Sequence, residues 1–160
     1  MSKALQPRIN KAIEDRLRAD TIASPTLAGD SLQKTMRDIG VPTDAPRLPL
    51  YWWMAPANAP APYLIYGPQE RESTLTTPGC GTADGGEAIY EVRLVSAGIE
   101  VASDLPVVDR LAALLDNFTV TIAGVDLQFF AVADVCYPEF VTLEKGVTHT
   151  GRVYRCVASF

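Results

Sequence analysis

The sequence contains few residues whose types and spacing could carry out catalysis. Its one histidine, His149, stands between two threonines, and the spacing assigns it neither a nucleophile nor an orienting acid. We therefore expect His149 to be a surface or strand-edge residue. The three cysteines, Cys80, Cys136 and Cys156, form no CxxC pair and no recognised zinc spacing with it. These residues predict neither a His-based triad nor a metal site.

A glycine-rich segment at residues 79–86 is the second candidate for chemistry. It lacks the GK[ST] ending of a phosphate-binding loop, and it precedes a predicted strand where that motif requires a helix. Nothing near Cys80 marks it as a nucleophile. We expect Cys136 and Cys156 to be small buried hydrophobic residues. The sequence predicts no enzyme and no cofactor.

Length and composition indicate one globular domain spanning residues 1–160, since 48% of the 160 residues are hydrophobic. The net charge of -5 argues against a dedicated nucleic-acid binder, which needs cationic contacts to phosphates. The chain has no apolar run of the roughly 18 residues that span a bilayer, and its charged amino terminus is unlike a secretory signal. The odd number of cysteines favours a reducing compartment such as a cytoplasm.

The apolar spacing predicts three helices. Residues 7–17 carry apolar side chains three and four apart, and residues 107–118 carry a broad apolar face behind Pro106. The Ser24-Pro25 pair predicts the start of a second helix, and a short apolar stripe at Leu32, Met36 and Ile39 is ended by Gly40. Gly29 argues against one continuous helix over residues 25–39.

Strands are predicted at residues 50–54, 62–67, 88–98, 119–122, 127–135 and 148–160. In the third of these, Tyr90, Val92, Leu94 and Ser96 form the more apolar face. The adjacent Trp52 and Trp53 are expected to supply core and sheet-edge packing, because large aromatic side chains usually contribute burial. Helices on one side of a mainly antiparallel sheet make the predicted fold α+β.

The long polar segment 68–87 shows no apolar period, and we predict that it is a flexible loop. A loop that orders against a partner would suit this composition, so its polar and reactive residues are candidates for partner contact: Glu70, Arg71, Glu72, Thr76, Cys80 and Asp84.

Charge is unevenly divided along the chain. Residues 1–50 hold eight basic and six acidic side chains, a balance of +2, and residues 51–160 hold six and thirteen, a balance of -7. Two solvated surfaces would account for this, and so would complementary patches that meet when copies of the chain assemble.

The order of elements resembles the tail terminator (tail completion) proteins of long-tailed bacteriophages, the lambda-like minor tail protein U group. The resemblance rests on an amino-terminal helix followed by a proline-rich run that ends in the strand PYLIYG at residues 62–67. A polar segment, the strand YEVRLVS at residues 90–96, the helix at residues 107–115 and the closing strand GRVYRCV at residues 151–157 follow. The segment 26–48 is longer than the family pattern.

The resemblance implies a virion protein assembled in the host cytoplasm. Such proteins form a homo-hexameric ring on the last ring of the tail tube, stop its polymerisation and present a surface to the head-completion or stopper protein. Genomic double-stranded DNA passes through the lumen without specific binding.

Other classes remain open at this point. The chain could be another phage neck or tail-tube-like protein, or a head–tail connector (stopper) that attaches on the portal side. A small ligand-binding domain or enzyme would instead use a pocket lined by Trp52, Trp53 and Tyr63.

Overall fold

The computed structural model describes residues 4–69, 73–76, 83–98, 102–140 and 145–160. Over these residues the chain is an α+β fold of three helices and a mixed sheet. The helices are α1 (Leu5–Ala19), α2 (Leu32–Asp38) and α3 (Leu105–Leu115), the last preceded by a short 3-10 turn at Ala102–Asp104. The strands are β1 (Leu50–Trp52), β2 (Tyr63–Pro68), β3 (Ser73–Thr76), β4 (Ala83–Ala97), β5 (Thr119–Ile122), β6 (Val125–Phe140) and β7 (Gly146–Ser159).

The strands lie in the order β1-β2-β4-β7-β6-β5, and β3 pairs separately with β4. β1 runs parallel to β2, whereas β2, β7 and β3 each pair antiparallel with β4. β6 pairs antiparallel with β7 over nearly its whole length, but β5 pairs only with its first residues, Val125 to Gln128. The long strands β4, β6 and β7 therefore form the body of the sheet.

The helices α1 and α3 share one hydrophobic core with a single face of the sheet. Three fully buried tyrosines on that face, Tyr66, Tyr90 and Tyr154, come from β2, β4 and β7. Tyr66 donates a hydrogen bond to Glu14, and Tyr90 donates to Asn10 Oδ1 at 2.9 Å, so both hold α1. Tyr154 donates to Asp116 Oδ1 at 2.9 Å, just beyond α3. The predicted apolar face of β4 is the buried one, as the alternation indicates.

A buried ion pair fastens the long connection between α1 and α2 to α3. Arg110 Nε and Nη2 each donate to a carboxylate oxygen of Asp20 at 2.7 Å, and both side chains are almost fully buried. The same carboxylate accepts the backbone N–H groups of Thr26 and Leu32. Arg110 also donates to the carbonyls of Leu27 and Ala28. Burial alone would raise the pKa of Asp20, but these donors outweigh it and lower that pKa.

Two strands approach unusually closely at Gly151 in β7. A Cβ atom at this position would lie 2.1 Å from the carbonyl oxygen of Val92 and 2.6 Å from the Cα of Arg93. Both atoms belong to the backbone of β4, which cannot turn aside as a flexible side chain can. Only glycine fits here without moving a central strand.

The structure corrects the prediction for the second helix. α2 begins at Leu32, where Ser31 accepts the N–H of Lys34, and Ser24-Pro25 lies in an irregular connection. Asp20, which lies outside that connection, holds it in place. Gly29 within the connection has a φ of +92°, which an α-helix does not allow. The apolar stripe of Leu32 and Met36 was nevertheless a correct signal for burial.

The structure also corrects the predicted lack of regular structure at 68–87. Pro68 ends β2, Ser73–Thr76 form β3, and β4 already begins at Ala83. Serine and threonine tolerate a strand well, and β4 supplies the pairing partner that the polar composition does not reveal. Gly85 allows close pairing with β7, because a Cβ there would lie 2.2 Å from the carbonyl oxygen of Ala158. Residues 70–72 and 77–82 of this segment lie outside the described residues.

We expect Asp20→Asn to lower the free energy of unfolding at neutral pH by about 3–5 kcal/mol, because it leaves Arg110 buried without a counter-charge. Urea denaturation followed by circular dichroism measures the change. The matched control is Asp15→Asn, which removes a carboxylate from an exposed pair with Lys11 and should cost about 0–1 kcal/mol.

The difference between wild type and Asp20→Asn should also depend on pH. The folded-state pKa of Asp20 lies below its ordinary value of 3.8, so the stabilisation is present above that value and is lost as the pH falls through the folded-state pKa. A difference that shrinks already near neutral pH would contradict this account.

Gly151→Ala should destabilise the fold by about 1–3 kcal/mol, since the added methyl group overlaps the backbone of β4. The thermal midpoint should fall accordingly. Gln128→Ala, at an exposed position of β6, serves as the control and should leave the midpoint nearly unchanged. An unchanged midpoint for Gly151→Ala would show that β4 and β7 are further apart than described.

Candidate interaction surfaces

Four of the six predicted partner-contact residues, Glu70, Arg71, Glu72 and Cys80, lie outside the described residues. Thr76 is the last residue of β3 and pairs with Ala83, next to Asp84 near the start of β4. These two predicted residues are therefore close together on paired strands, and their role in partner contact stays a prediction.

The prediction that His149 lies at the surface is wrong. Its side chain is buried on β7, a central strand of the sheet, and its ring stacks on Tyr137 with centroids 4.5 Å apart. Its Nε2 lies 2.6 Å from Glu139 Oε2. β6 is long enough to place Tyr137 and Glu139 beside His149. Because the sequence predicted that this strand ends at residue 135, these contacts were not expected. The histidine therefore forms part of the packing between β6 and β7.

The predicted core packing of the tryptophans is wrong, because both are about half exposed, but the predicted sheet-edge position is confirmed, since Trp52 ends the edge strand β1. β1 ends at Trp52, and Trp53 takes a φ of +64°, a left-handed conformation that a bulky side chain rarely adopts. Its N–H donates to the carbonyl of Tyr66 at 2.8 Å, and its ring lies over Gly67. Trp53 borders a small pocket with Glu91 and Arg93, but Trp52 and Tyr63 do not line it. Tyr63 instead packs edge-on against Tyr51. Within the described residues, Trp53 therefore borders this pocket without the other two residues expected to line it.

The carboxyl-terminal part of β6 presents an uncovered apolar strip, which we call the β6 strip and define as residues 130–140. It has β7 on one side, whereas β5 stops pairing at Gln128. Four of its large side chains are exposed, with Phe140 the most exposed at 69%; the others are Phe130, Val132 and Tyr137. The register with β7 places Phe130 and Tyr137 on one side of the sheet and Phe140 on the other, so these groups flank the strand edge on both sides.

The backbone edge of the β6 strip is poorly suited to adding another strand. Pro138 has no N–H to donate, and the register shifts between Ala131 and Ala133. Bulges, prolines and charges are features that protect sheet edges from pairing. The strip carries two acidic side chains, Asp134 and Glu139, and its sequence contains no lysine or arginine. Its side chains, rather than its backbone, are thus the groups available for contact.

A second surface, which we call the proline groove, lies beside β1 at the other end of the strand order. It is an open cleft of about 490 Å³ between the segments at residues 40–51 and 60–62. Its walls are mainly apolar and include Val41, Pro46, Leu48, Tyr51 and Pro62. Closely spaced prolines lack the N–H that a strand ladder needs, and residues 41–49 and 60–62 line the groove as turns and irregular chain beside β1.

Two arginines line the proline groove. Arg18 reaches it from α1 and donates to the carbonyls of Leu48 and Leu50 at 2.9 and 3.2 Å, which fixes the floor of the groove. Arg47 is exposed at its lining. The groove therefore combines apolar walls with positive charge, the opposite charge to that of the β6 strip.

Catalytic and metal-binding arrangements were sought over the same residues. The described part of the chain contains no group of three His, Cys, Asp or Glu side chains that could hold a metal ion. Within those ranges no helix is long and apolar enough to cross a membrane.

Comparisons with known proteins give the fold alone. The sequence matches no protein-family model, and no curated protein is significantly similar to it. Seven solved chains are similar in structure, and one of them has a TM-score of 0.54 and 18% sequence identity over 96% of this chain and 95% of that one. Because the two are similar over nearly their full lengths, the arrangement of elements described above recurs in another protein.

Sequence reasoning missed both surfaces. The apolar residues of β6 read as a buried strand, since nothing local indicates that β5 is too short to cover them. The proline run was recognised as unfavourable for strands, but the cleft between its two segments depends on their spacing in the fold. The available signal was the shortness of the predicted strand 119–122, which could cover only part of the predicted strand 127–135 on its second side.

The two described cysteines should differ in reactivity. Cys136 lies exposed in the β6 strip, contrary to prediction, whereas Cys156 is buried as predicted, and burial raises the pKa of its thiol. In a Cys80→Ser background we expect Ellman's reagent to modify Cys136 in the native protein and Cys156 only after denaturation. Adding Cys136→Ser should abolish the native reaction. Native labelling of Cys156 would contradict the described core.

Proposed function

We propose that this protein is a ring-forming tail terminator of a long-tailed bacteriophage. In this role it caps the tail tube, stops its polymerisation and joins the tail to the head-completion or stopper protein. The proposal assigns the chain a structural rather than an enzymatic function in the virion. Its ring is a homo-hexamer, as the resembled family implies.

The observation that carries the proposal is the pair of unlike uncovered surfaces. A closed ring of identical subunits requires head-to-tail contacts, in which one patch of each subunit meets a different patch of its neighbour. The β6 strip and the proline groove are different patches at opposite ends of the strand order. The resemblance in the order of elements supports the same role, and the α+β fold is compatible with it.

The distribution of charge supports a passage for DNA without retention. The chain has a net charge of -5, and the balance of -7 falls on residues 51–160, which include all the strands but the first residue of β1. A ring built largely of this part of the chain repels phosphates, so DNA moves through its lumen without forming stable contacts.

The decisive experiment adds the purified protein to the tail tube protein of the same phage during polymerisation. We expect negative-stain images to show tubes with a cap at one end and with growth halted once the cap is in place. Tube protein alone is the control and should continue to elongate. Tubes that elongate equally in the presence of the protein, with bare ends, would overturn the proposed function.

A further inference from the structure

We propose that the small pocket beside Trp53 binds one ring of a neutral saccharide. We call it the Trp53 pocket and define it by the lining residues Trp53, Ile65, Gly67, Gln69, Glu91 and Arg93. This site does not depend on the proposed ring of subunits, because it uses neither the β6 strip nor the proline groove. The position of its walls, the groups that they offer and the balance of charge together select the ligand.

The Trp53 pocket lies over β2, on the side of the sheet that faces away from α1. Tyr66 donates a hydrogen bond to α1, so its neighbours Ile65 and Gly67 lie on the opposite side of the strand. Their register partners on β4, Arg93 and Glu91, lie on that opposite side with them. The pocket has a volume of about 220 Å³, below the roughly 300–1,000 Å³ of sites for drug-sized ligands, so it admits a single small ring.

The backbone fixes Trp53 as one wall of this pocket. Trp53 has a φ of +64°, and its N–H donates to the carbonyl of Tyr66 at 2.8 Å. Because Gly67 has no side chain, the indole lies over β2, with its Cε3 3.1 Å from where a Cβ would stand. Unfavourable backbone conformations concentrate at binding sites, where a fixed side chain has a use. The indole is about half exposed, and its apolar surface can pack against the C–H groups of a sugar ring.

The second wall of the pocket is polar and already ordered. Gln69 Nε2 donates to one carboxylate oxygen of Glu91, and Arg93 Nη1 donates to the other. Each carboxylate oxygen can accept a second hydrogen bond, and Arg93 has further N–H donors. The Nε of Arg93 is buried and has no partner in the described part of the chain, so this wall holds a donor that the protein itself does not satisfy. Two adjacent hydroxyl groups match acceptors beside donors, because each hydroxyl both donates and accepts.

Charge restricts the ligand to a neutral one. Glu91 and Arg93 compensate each other, and their side chains are only 14% and 23% exposed. An anion at this wall meets the charge of Glu91, and a cation meets that of Arg93, so neither gains a net attraction. A purely apolar ligand would desolvate the ion pair without replacing its hydrogen bonds to water. A saccharide ring combines neutrality, adjacent hydroxyl groups and an apolar surface, which are the properties that the two walls match.

The first test follows binding through the fluorescence of Trp53 in the full-length protein. The chain has two tryptophans, so in a Trp52→Phe variant the tryptophan emission comes from Trp53 alone. We expect at least one of the methyl pyranosides of glucose, galactose, mannose and N-acetylglucosamine to change this emission saturably, with millimolar affinity. Tetrahydropyran, a similar ring without hydroxyl groups, should not. No saturable response to any of these pyranosides, or tighter binding of inorganic phosphate or adenosine, would overturn the proposal.

A pair of substitutions on β4 tests the polar wall. Glu91→Gln should weaken pyranoside binding by at least about tenfold, because it removes a charged acceptor and releases Gln69 and Arg93. Glu87→Gln is the matched control, since Glu87 lies on the same side of β4 and is also paired with an arginine, Arg155, but is not among the residues that line the pocket. Circular dichroism verifies that both variants are folded. Equal affinities of the two folded variants would contradict the assigned wall.

The indole wall has its own test, read by ligand-observed NMR because the fluorescent reporter is lost. Trp53→Ala should weaken pyranoside binding by at least about tenfold, since it removes the apolar wall. Trp52→Ala removes a tryptophan of similar exposure that does not line the pocket, and it should bind like wild type. A folded Trp53→Ala variant that binds as well as wild type would overturn the site. These assays contain no tail tube, so their outcome is separate from that of the proposed function.

Discussion

The ion pair of Asp20 with Arg110 is the interaction on which the arrangement of the helices depends. The carboxylate at the end of α1 accepts from a guanidinium of α3, from Thr26 in the α1–α2 connection and from Leu32 at the start of α2. Both other helices and the connection are thus fixed to α1 through one buried group. A buried charge is tolerated only when its hydrogen-bonding capacity is filled. The irregular connection from Thr21 to Ser31 therefore has a definite course although it contains no helix or strand. Because this connection is fixed by Asp20, α2 begins only after it.

Features that depend on a contact between elements, as this connection does, are the ones that the sequence could not predict. α1, α3 and the alternation of β4 follow from periodic apolar residues, and they appear where the pattern indicates because each signal is local. The start of α2, the pairing of β3 and the exposure of Cys136 each depend on a contact with another element, which the pattern within the element itself does not show. Asp20 decides the first, β4 decides the second, and the short length of β5 decides the third.

The candidate surfaces are also features that local sequence patterns do not predict. An apolar strand is the same in sequence whether a neighbour covers it or not, and Trp53 is exposed because its backbone turns into the left-handed region over Gly67. The uneven division of charge was visible in the sequence. In the structure, acidic side chains lie on β6 and basic side chains lie near the proline groove. Composition left both two solvated surfaces and complementary patches open, and the fold shows which residues carry the charges.

The register shift in β6 changes which of its side chains, odd-numbered or even-numbered, lie on a given side of the sheet. Before the shift Phe129 pairs with Cys156, and after it Asp134 pairs with Arg152 and Cys136 with Thr150, so even-numbered residues take over the side of the sheet that odd-numbered residues held. Loss of one residue at this point would turn Phe140 to the opposite side and bring Tyr137 to the side that Phe140 leaves. The strip would keep its composition but would present a different set of side chains. In this part of the chain a change of length is therefore a larger structural event than a change of residue.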